Sequence, residues 1–543
     1  MKPVSWVASR GYAFSHDLDR RMTELGGTNP SMPVGPDDPP ARPVSPSPAD
    51  LNSTDPPGRV GSLRVSAARG VKWSFTGLAG SQVIEALVLL VLARLIGPKN
   101  FGVIAEASVF LAFIHLLLDQ GIGATVIRRV NLTSEIVGTT FLLNLVTTFV
   151  MTATTVFGAP LIAAFFGHPE LTDILRWLAI AVFFDGLDVM PRSILSRRLR
   201  FKALGTAEVG GALIAGAAGI AVAIAGGGYW ALVTQAILSN LTVTLAIMAL
   251  AGRMAWRGSF AALREVVTFS SRVLLFSLVN FASRNMDNVL VGRYLGATPL
   301  ALYSLAYRTL MVPVTALGQV SNRVALPVYA RIQDDQRRFC VMFMLSLRLI
   351  ALISAPLMIL TIIEAPKGVP LLFGDAWRPA VVPLQILALT GLRQSIQSTV
   401  SPVLLALGRA DWNLRWGLGA SAAYVASFIV GLNWGITGVA AAYTIVGFAI
   451  SPLSVMIIGK FLDFTVGDYC RNLLPVAVST GGLALSAVLV SLGLDAIGAP
   501  SAAVLVVSAI CGLGVYIALL YRQWPTEILE ARRFAASALR GSA

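Results

Sequence analysis

The sequence predicts an all-α integral membrane protein of about fourteen transmembrane helices, and three observations carry that prediction. Of its 543 residues, 55% are hydrophobic and 13% are charged, where a soluble domain carries roughly a quarter charged residues. Apolar runs of about 20 residues, each enough to cross roughly 30 Å of hydrocarbon, recur along most of the chain. The connections between the runs are short, and their positive charge alternates from one to the next.

Residues 1–62 stand apart, with ten prolines between Pro30 and Pro57, many Asp and Ser, and few large apolar side chains. Such a segment cannot bury a core and reads as a disordered, Pro-rich cytoplasmic tail. It lacks the apolar stretch and small-residue cleavage site of a secretory signal. Met22 and Met32 are alternative starts. Asp17-Leu18-Asp19 has the form of the metal-binding DxD of sugar-nucleotide glycosyltransferases, but no nucleotide-binding fold surrounds it and it reads as ordinary tail.

Apolar runs between Gly, Pro and charge breaks place six spans in a first half, 63–264, near 71–96, 101–124, 136–160, 171–191, 203–226 and 229–251. A second half, 265–460, holds six more near 268–294, 299–326, 340–364, 379–406, 413–433 and 435–459. Spans near 472–493 and 500–521 fill the segment 461–521, and a tail at 522–543 follows.

Positive residues are retained on the cytoplasmic side of short loops. One set of connections holds seventeen Lys and Arg, including Arg128, Arg129, Arg192 and Arg197; the other holds only Arg94, Lys99, Arg293, Lys367 and Arg378. Both termini are therefore expected in the cytoplasm, and the net charge of +14 reads as orientation rather than nucleic-acid binding. No connection is long enough for an extramembrane active site. Cys340, Cys470 and Cys511 lack CxxC spacing, and the chain has neither a phosphate loop of the Gly-x-x-x-x-Gly-Lys-[Ser/Thr] type nor a His-Glu-x-x-His motif. No catalytic residue, cofactor or metal is expected.

Ala93-Arg94-Leu95-Ile96-Gly97 ends span 1 and Gly292-Arg293-Tyr294-Leu295-Gly296 ends span 7, at an offset of 199 residues. At the same offset Phe101 meets Leu300 and Ala107 meets Ala306. Six spans separate the copies, so the halves are parallel repeats related by an axis along the membrane normal, and transporters built this way bind substrate between the halves.

Charges inside spans cost roughly 2.5–3.5 kcal/mol each and persist where they face a wet cavity or a partner. The first half is acidic: Glu85, Glu106, Asp119, Asp185 and Asp188. The second is basic: Arg272, Arg284, Arg308, Arg323, Arg348 and Arg393, with Asp287 the exception. At the repeat offset Glu85 superposes on Arg284. Arg284 and Asp287 share a helix face, and Arg308 and Arg323, about four turns apart, point the same way. A wall of guanidinium forks suits an anionic, phosphorylated head group, so Arg284, Arg308, Arg323, Arg393 and Asp287 are the substrate-binding candidates. Glu85, Glu106 and Asp119 are candidates to bind a coupling proton or sodium ion. Snorkelling or ion pairing within the chain is the competing reading for each, most of all for Arg176, Arg272 and Arg348 near span ends. His115, the one histidine inside a span, reads as packed or hydrogen-bonded.

Ala93-Arg94-Leu95-Ile96-Gly97-Pro98 with Phe101-Gly102, Asp119-Gln120-Gly121-Ile122-Gly123-Ala124 and the arginine-rich connection at 192–202 form one set of motifs. Ser283-Arg284-Asn285-Met286-Asp287-Asn288, Gly292-Arg293-Tyr294-Leu295-Gly296, Leu302-Tyr303-Ser304-Leu305-Ala306-Tyr307-Arg308 and Leu407-Gly408-Arg409 form another. Together, over about 64–525, the chain resembles bacterial polysaccharide-biosynthesis flippases of the multidrug/oligosaccharidyl-lipid/polysaccharide exporter superfamily. The resemblance implies two six-helix lobes around a central cavity, with two extra carboxyl-terminal helices. It further implies alternating access and a plasma-membrane location. The implied substrate is a polyprenyl-(pyro)phosphate-linked oligosaccharide passed from the cytoplasmic to the outer leaflet, with membrane lipids and other polysaccharide-assembly proteins as partners and no nucleic acid. Arg284, Asp287 and Arg308 lie within the shared motifs; Arg323 and Arg393 rest on charge alone. A multidrug exporter of the same superfamily is the nearest alternative, and a membrane glycosyltransferase or polysaccharide polymerase, which would need a sizeable outer loop, is the alternative from another class.

Overall fold

The computed structural model describes residues 60–119, 134–252, 281 and 285–523, with side chains from 80 onward except 119, 134–136, 312–313 and 316–327. The expected tail at 1–62, most of the expected span 268–294 and the connection carrying Arg128 and Arg129 lie largely or wholly outside the described residues.

Every described element is helical, as lipid requires of backbone whose N–H and C=O groups find no water. The order is α1 (Val60–Asp119), α2 (Ser134–Phe166), α3 (Glu170–Arg197), α4 (Phe201–Ile224) and α5 (Trp230–Ala251). A helical segment at 285–295 follows, then α6 (Ala297–Arg331), α7 (Gln336–Phe373), a 3-10 turn (Asp375–Ala380), α8 (Val381–Gln397) and α9 (Val400–Ala406). The chain ends with α10 (Ala410–Gly431), α11 (Gly435–Leu462), α12 (Val466–Ala496) and α13 (Ser501–Gln523). Among the described residues, eight helical stretches are long and apolar enough to cross a membrane. Their outward faces carry exposed apolar side chains: Phe157 is 81% exposed and Leu161 75%, as on a surface that faces lipid.

The sequence repeat has a backbone counterpart. Within α1, Gly97 sits at φ 72°, ψ 170°, splitting the helix into arms at 60–96 and 98–119. At the same offset, Gly296 (φ 94°, ψ −180°) separates the segment 285–295 from α6. A side chain with a Cβ is strained at both angles, so glycine is required twice. The breaks lie side by side: a Cβ on Gly102 would run into the backbone of Ala297.

That junction seals one face of the protein, the face opposite the arginine-rich connections. Leu92, Ala93, Phe101 and Ala105 of α1 share an apolar core with Val291, Leu300, Tyr303 and Trp377 from the second half. Trp377, in the 3-10 turn, is 0% exposed; its Nε1 donates to Ala93 O at 2.9 Å and its ring meets Phe101 edge-on at 5.3 Å. Arg94 Nη1 donates to Leu371 O at 2.8 Å, so Arg94 belongs to the same clamp.

The expected span 379–406 is a pair of helices in sequence. Pro402 has no N–H for the Ser398 carbonyl, and the hydroxyls of Ser398 and Thr399 turn back onto Ser395 O and Ile396 O at 2.7 and 3.0 Å. The last two helices are riveted to α7 by polar pairs. Arg348 Nη2 donates to Asn472 Oδ1 at 2.8 Å and Lys367 Nζ to Asp495 Oδ2 at 2.6 Å. Ser508 Oγ donates to Glu364 Oε1 at 2.5 Å and Tyr516 Oη to Leu352 O at 2.8 Å. Lipid is as apolar as leucine, so such bonds and close packing hold a membrane helix pair in place. At the start of α12, Thr465 and Asp468 form a reciprocal capping box. The hydrogen bonds from Thr465 hold the Asp468 carboxyl below its ordinary range.

Candidate functional site

A polar cavity of about 790 Å³ opens between the amino-terminal helices and the segment that leads into the second half; α1 contributes His115, α3 Asp185, Asp188 and Arg192, α5 Asn240, and the second half Phe281 and Asn285. α3 contributes two successive turns of polar side chains, Asp185 to Arg192, and α1 and α5 one polar residue each. His115 Nδ1 donates to Asp185 Oδ2 at 2.7 Å, which makes His115 a hydrogen-bonded residue, as expected. Arg192 Nε donates to Asp188 Oδ2 at 2.7 Å, and its Nη1 bonds Glu208 Oε1 on α4. Arg192 therefore joins α3 to α4 as well as adding positive charge to its connection. Asp188 Oδ1 is buried without a protein partner. The wall offers carboxylate, imidazole, guanidinium and amide groups beside the Phe281 ring, the mix that binds hydroxyls and the apolar faces of sugar rings.

The basic residues of the second half fall into three situations. Arg308, on α6, is solvent-accessible yet surrounded by protein at longer range, as the wall of a wide cleft would be. It lies eleven residues into α6, about 16 Å along the axis from the start of the helix. Among the described residues, it has no carboxylate partner.

Arg393, on α8, is 5% exposed. Its Nη1 donates to Gln397 Oε1 at 2.6 Å and to Tyr424 Oη at 2.9 Å, and its guanidinium lies over the Tyr424 and Tyr443 rings at 5.6 and 6.0 Å. Nε and Nη2 have no partner in the protein. A Cβ at Gly447 would approach the guanidinium carbon to 2.7 Å, so α11 keeps a glycine where Arg393 lies. The structure thus places Arg393 inside the second lobe, between α8, α10 and α11. Arg284 and the side chain of Arg323 lie outside the described residues; the backbone of Arg323 belongs to α6.

Asp287 is 2% exposed, accepting from Tyr303 Oη at 3.1 Å and from the Asn288 amide at 2.8 Å. Tyr303 stacks on Tyr307 at 6.3 Å, so the Asp287 carboxylate is held by the aromatic face of α6.

The acidic candidates are also separated. Glu85 is exposed, facing the charge of Glu208 on α4. Glu106 is 0% exposed and bonds His168 Nδ1 at 3.0 Å. Asp119 closes α1, with its side chain outside the described residues. His168, Glu208, Asn240, Tyr424 and Tyr443 were not legible as site residues. A buried Glu106 demands a partner, but the chain offers no local signal that it lies 62 residues away.

A family model described as polysaccharide biosynthesis protein matches residues 91–382, more than half of the chain. The teichuronic acid biosynthesis protein TuaB of Bacillus subtilis is 25% identical over 462 residues, covering 84% of this chain and 95% of its own length. The lipopolysaccharide biosynthesis protein WzxC of Escherichia coli is 26% identical over 435 residues, 78% of this chain and 88% of that protein. The succinoglycan biosynthesis transport protein ExoT of Rhizobium meliloti is 27% identical over 360 residues, 65% of this chain and 72% of that protein. Among solved structures, the lipid II flippase MurJ in an inward closed conformation aligns with a TM-score of 0.68 at 14% identity, over 84% of this chain and 100% of its own. An inward-facing multidrug resistance MATE family transporter aligns at 0.57, also 14% identical, over 72% of this chain and 100% of its own. At that identity the two share the fold with this chain. By sequence the chain belongs to the polysaccharide biosynthesis protein family.

Proposed function

We propose that this protein is a flippase, a transporter rather than an enzyme, which moves a polyprenyl-(pyro)phosphate-linked oligosaccharide from the cytoplasmic to the outer leaflet of a bacterial plasma membrane. In this reading fourteen spans leave both termini in the cytoplasm and the two lobes rock to give alternating access. The observation that carries it is Arg308, an accessible guanidinium on α6 without a carboxylate partner among the described residues. A cation held there is stabilised when an anion arrives. Arg308, with Arg284 and Arg323, takes the phosphate; Asp287 and Arg393, buried behind, hold the helices that present it. The polar cavity of α1, α3 and α5 takes the sugar.

The names of TuaB, WzxC and ExoT support a polysaccharide substrate. A cationic drug is less suited: Asp185 and Asp188 are already paired with His115 and Arg192, which leaves little free negative charge. The sequence carries no Gly-x-x-x-x-Gly-Lys-[Ser/Thr] phosphate loop, and in this reading a proton or sodium gradient, or consumption of the product by other assembly proteins, drives the cycle.

The test is reconstitution in liposomes with a fluorescent polyprenyl-pyrophosphate oligosaccharide. Arg308→Ala should abolish leaflet transfer and Arg308→Lys should retain part of it. Equal transfer by wild type and Arg308→Ala would contradict the reading.

A further inference from the structure

Glu106 is fully enclosed within the first lobe. Its neighbours along α1, Val103 and Ala107, belong to an apolar cluster with Ala159, Ala163 and Leu171. Oε2 accepts one hydrogen bond, from His168 Nδ1 at 3.0 Å; Oε1 is buried with no partner. Arg or Lys is absent from its surroundings among the described residues. A bare carboxylate in such a place is strongly disfavoured unless it carries a proton or shares one.

His168 is the other half of the pair and reaches water. Its side chain is 38% exposed, in the tight turn between α2 and α3 on the face opposite the arginine-rich connections. The turn is fixed: the Gly167 and His168 amides both donate to Ala163 O, at 2.8 and 3.1 Å, and Leu171 N donates to His168 O at 3.1 Å. The imidazole therefore bridges solvent on that face and a carboxylate that solvent does not touch.

We propose that Glu106 and His168 form a proton-binding site of the first lobe, loaded from the outer face through the imidazole. A proton from water adds to His168 Nε2, and the Nδ1 proton passes to Glu106 Oε2. The imidazole is left neutral in its other tautomer, the carboxyl is neutral, and the pair has gained one positive charge. The partner chemistry favours a proton over sodium. Hard cations gather several oxygen ligands, whereas this pair offers one carboxylate and a ring nitrogen, and the described residues hold no group of three or more His, Cys, Asp or Glu suited to a metal ion.

A second imidazole–carboxylate pair, His115–Asp185, lies nine residues further along α1, about 13 Å away, and opens on the substrate cavity. Phe110 and Leu111 of α1, between Glu106 and His115, pack with Val182 of α3, between His168 and Asp185, in one apolar cluster that separates the two levels. The lobe thus carries a protonatable pair on each side of a dry layer, with Asp188 and Arg192 beside the inner pair. Near the outer pair, Glu170 and Asp173 begin α3, Asp173 turning to Arg176 at 3.6 Å, and Tyr229 edges the apolar cluster. The site gives the ion-coupling part of the flippase reading an identity and a location.

Infrared difference spectra of the purified protein in liposomes, recorded across a pH titration without substrate, test the proposal. The expected result is a carboxylic-acid C=O band that grows on acidification, vanishes in Glu106→Gln and titrates at a different pH in His168→Gln. His168 lies in a surface turn, so its variant keeps the test valid where Glu106→Gln folds poorly. A titration unchanged in both variants would overturn the proposal. The readout involves no lipid-linked sugar: an unchanged titration removes the proton site and leaves the flippase reading standing, whereas an intact Glu106 band beside failed lipid transfer supports the site and removes that reading.

Discussion

Replacing Trp377 with alanine should loosen the seal between the two halves and favour the state in which that face is open. When the halves part, Trp377 loses the contacts that cross the junction: the 2.9 Å hydrogen bond to Ala93 O and the edge-on contact with Phe101 at 5.3 Å. Its packing on Phe373, at 6.2 Å within its own half, is retained. A buried hydrogen bond contributes about 0.5–1.5 kcal/mol and an aromatic pair a further 0.5–1.5 kcal/mol or so. The closed state should therefore lose about 1–3 kcal/mol relative to the open one, a population shift of roughly 5- to 150-fold. Trp377→Phe keeps a ring without the N–H and should shift the populations by the smaller part of that range. Distances between spin labels placed in α1 and α7 on that face, measured in liposomes, report the two populations directly. Identical distance distributions for wild type and Trp377→Ala would refute the assignment of the 3-10 turn as the seal.

Other substitutions test the interior. Gly447→Ala drives a methyl group into the Arg393 guanidinium, and overpacking of this kind costs about 1–3 kcal/mol; thermal unfolding should show the loss, and a smaller loss in an Arg393→Leu background. Ser508→Ala leaves Glu364, 8% exposed, without its hydrogen bond, which should cost about 1–3 kcal/mol and be read as earlier proteolysis of the α12–α13 pair; unchanged cleavage would discount the rivet. Thr465→Ala removes the α12 cap and should cost about 1 kcal/mol. Because the Asp468 carboxyl is held below its ordinary range by Thr465, its stabilisation is full above the unfolded-state carboxylate range and is lost as pH falls through the folded value. Asp468→Asn should accordingly flatten the acid limb of the stability profile, and an unaltered limb would contradict the capping box.

The membrane fold was legible because lipid imposes a length and a composition on every span. The repeat was legible because two helix breaks need glycine, and Gly97 and Gly296 meet that need at matching positions. Side-chain destinations were less so, since lipid-facing and protein-facing positions are equally apolar and periodicity cannot separate them. Arg308 and Arg393 look alike in sequence, one basic residue in an apolar run. Only the packing of α8 against α10 and α11 distinguishes a buried guanidinium over Tyr424 from an accessible one. The hydrogen bond from Tyr303 to Asp287 joins residues 16 apart across a helix break. The pairing of Glu106 with His168, and of Asp185 with His115, joins residues 62 and 70 apart, a fact of helix packing that no local pattern encodes. The polar rivets between α7 and α12 likewise join residues more than 120 positions apart.

Leaflet transfer by the wild-type protein, measured side by side for a fluorescent polyprenyl-pyrophosphate oligosaccharide and for a fluorescent organic cation, tests the functional reading most directly. The flippase reading predicts transfer of the lipid-linked sugar and none of the cation. Export of the cation with the lipid-linked sugar left in its original leaflet would contradict it and assign the cavity to drug transport.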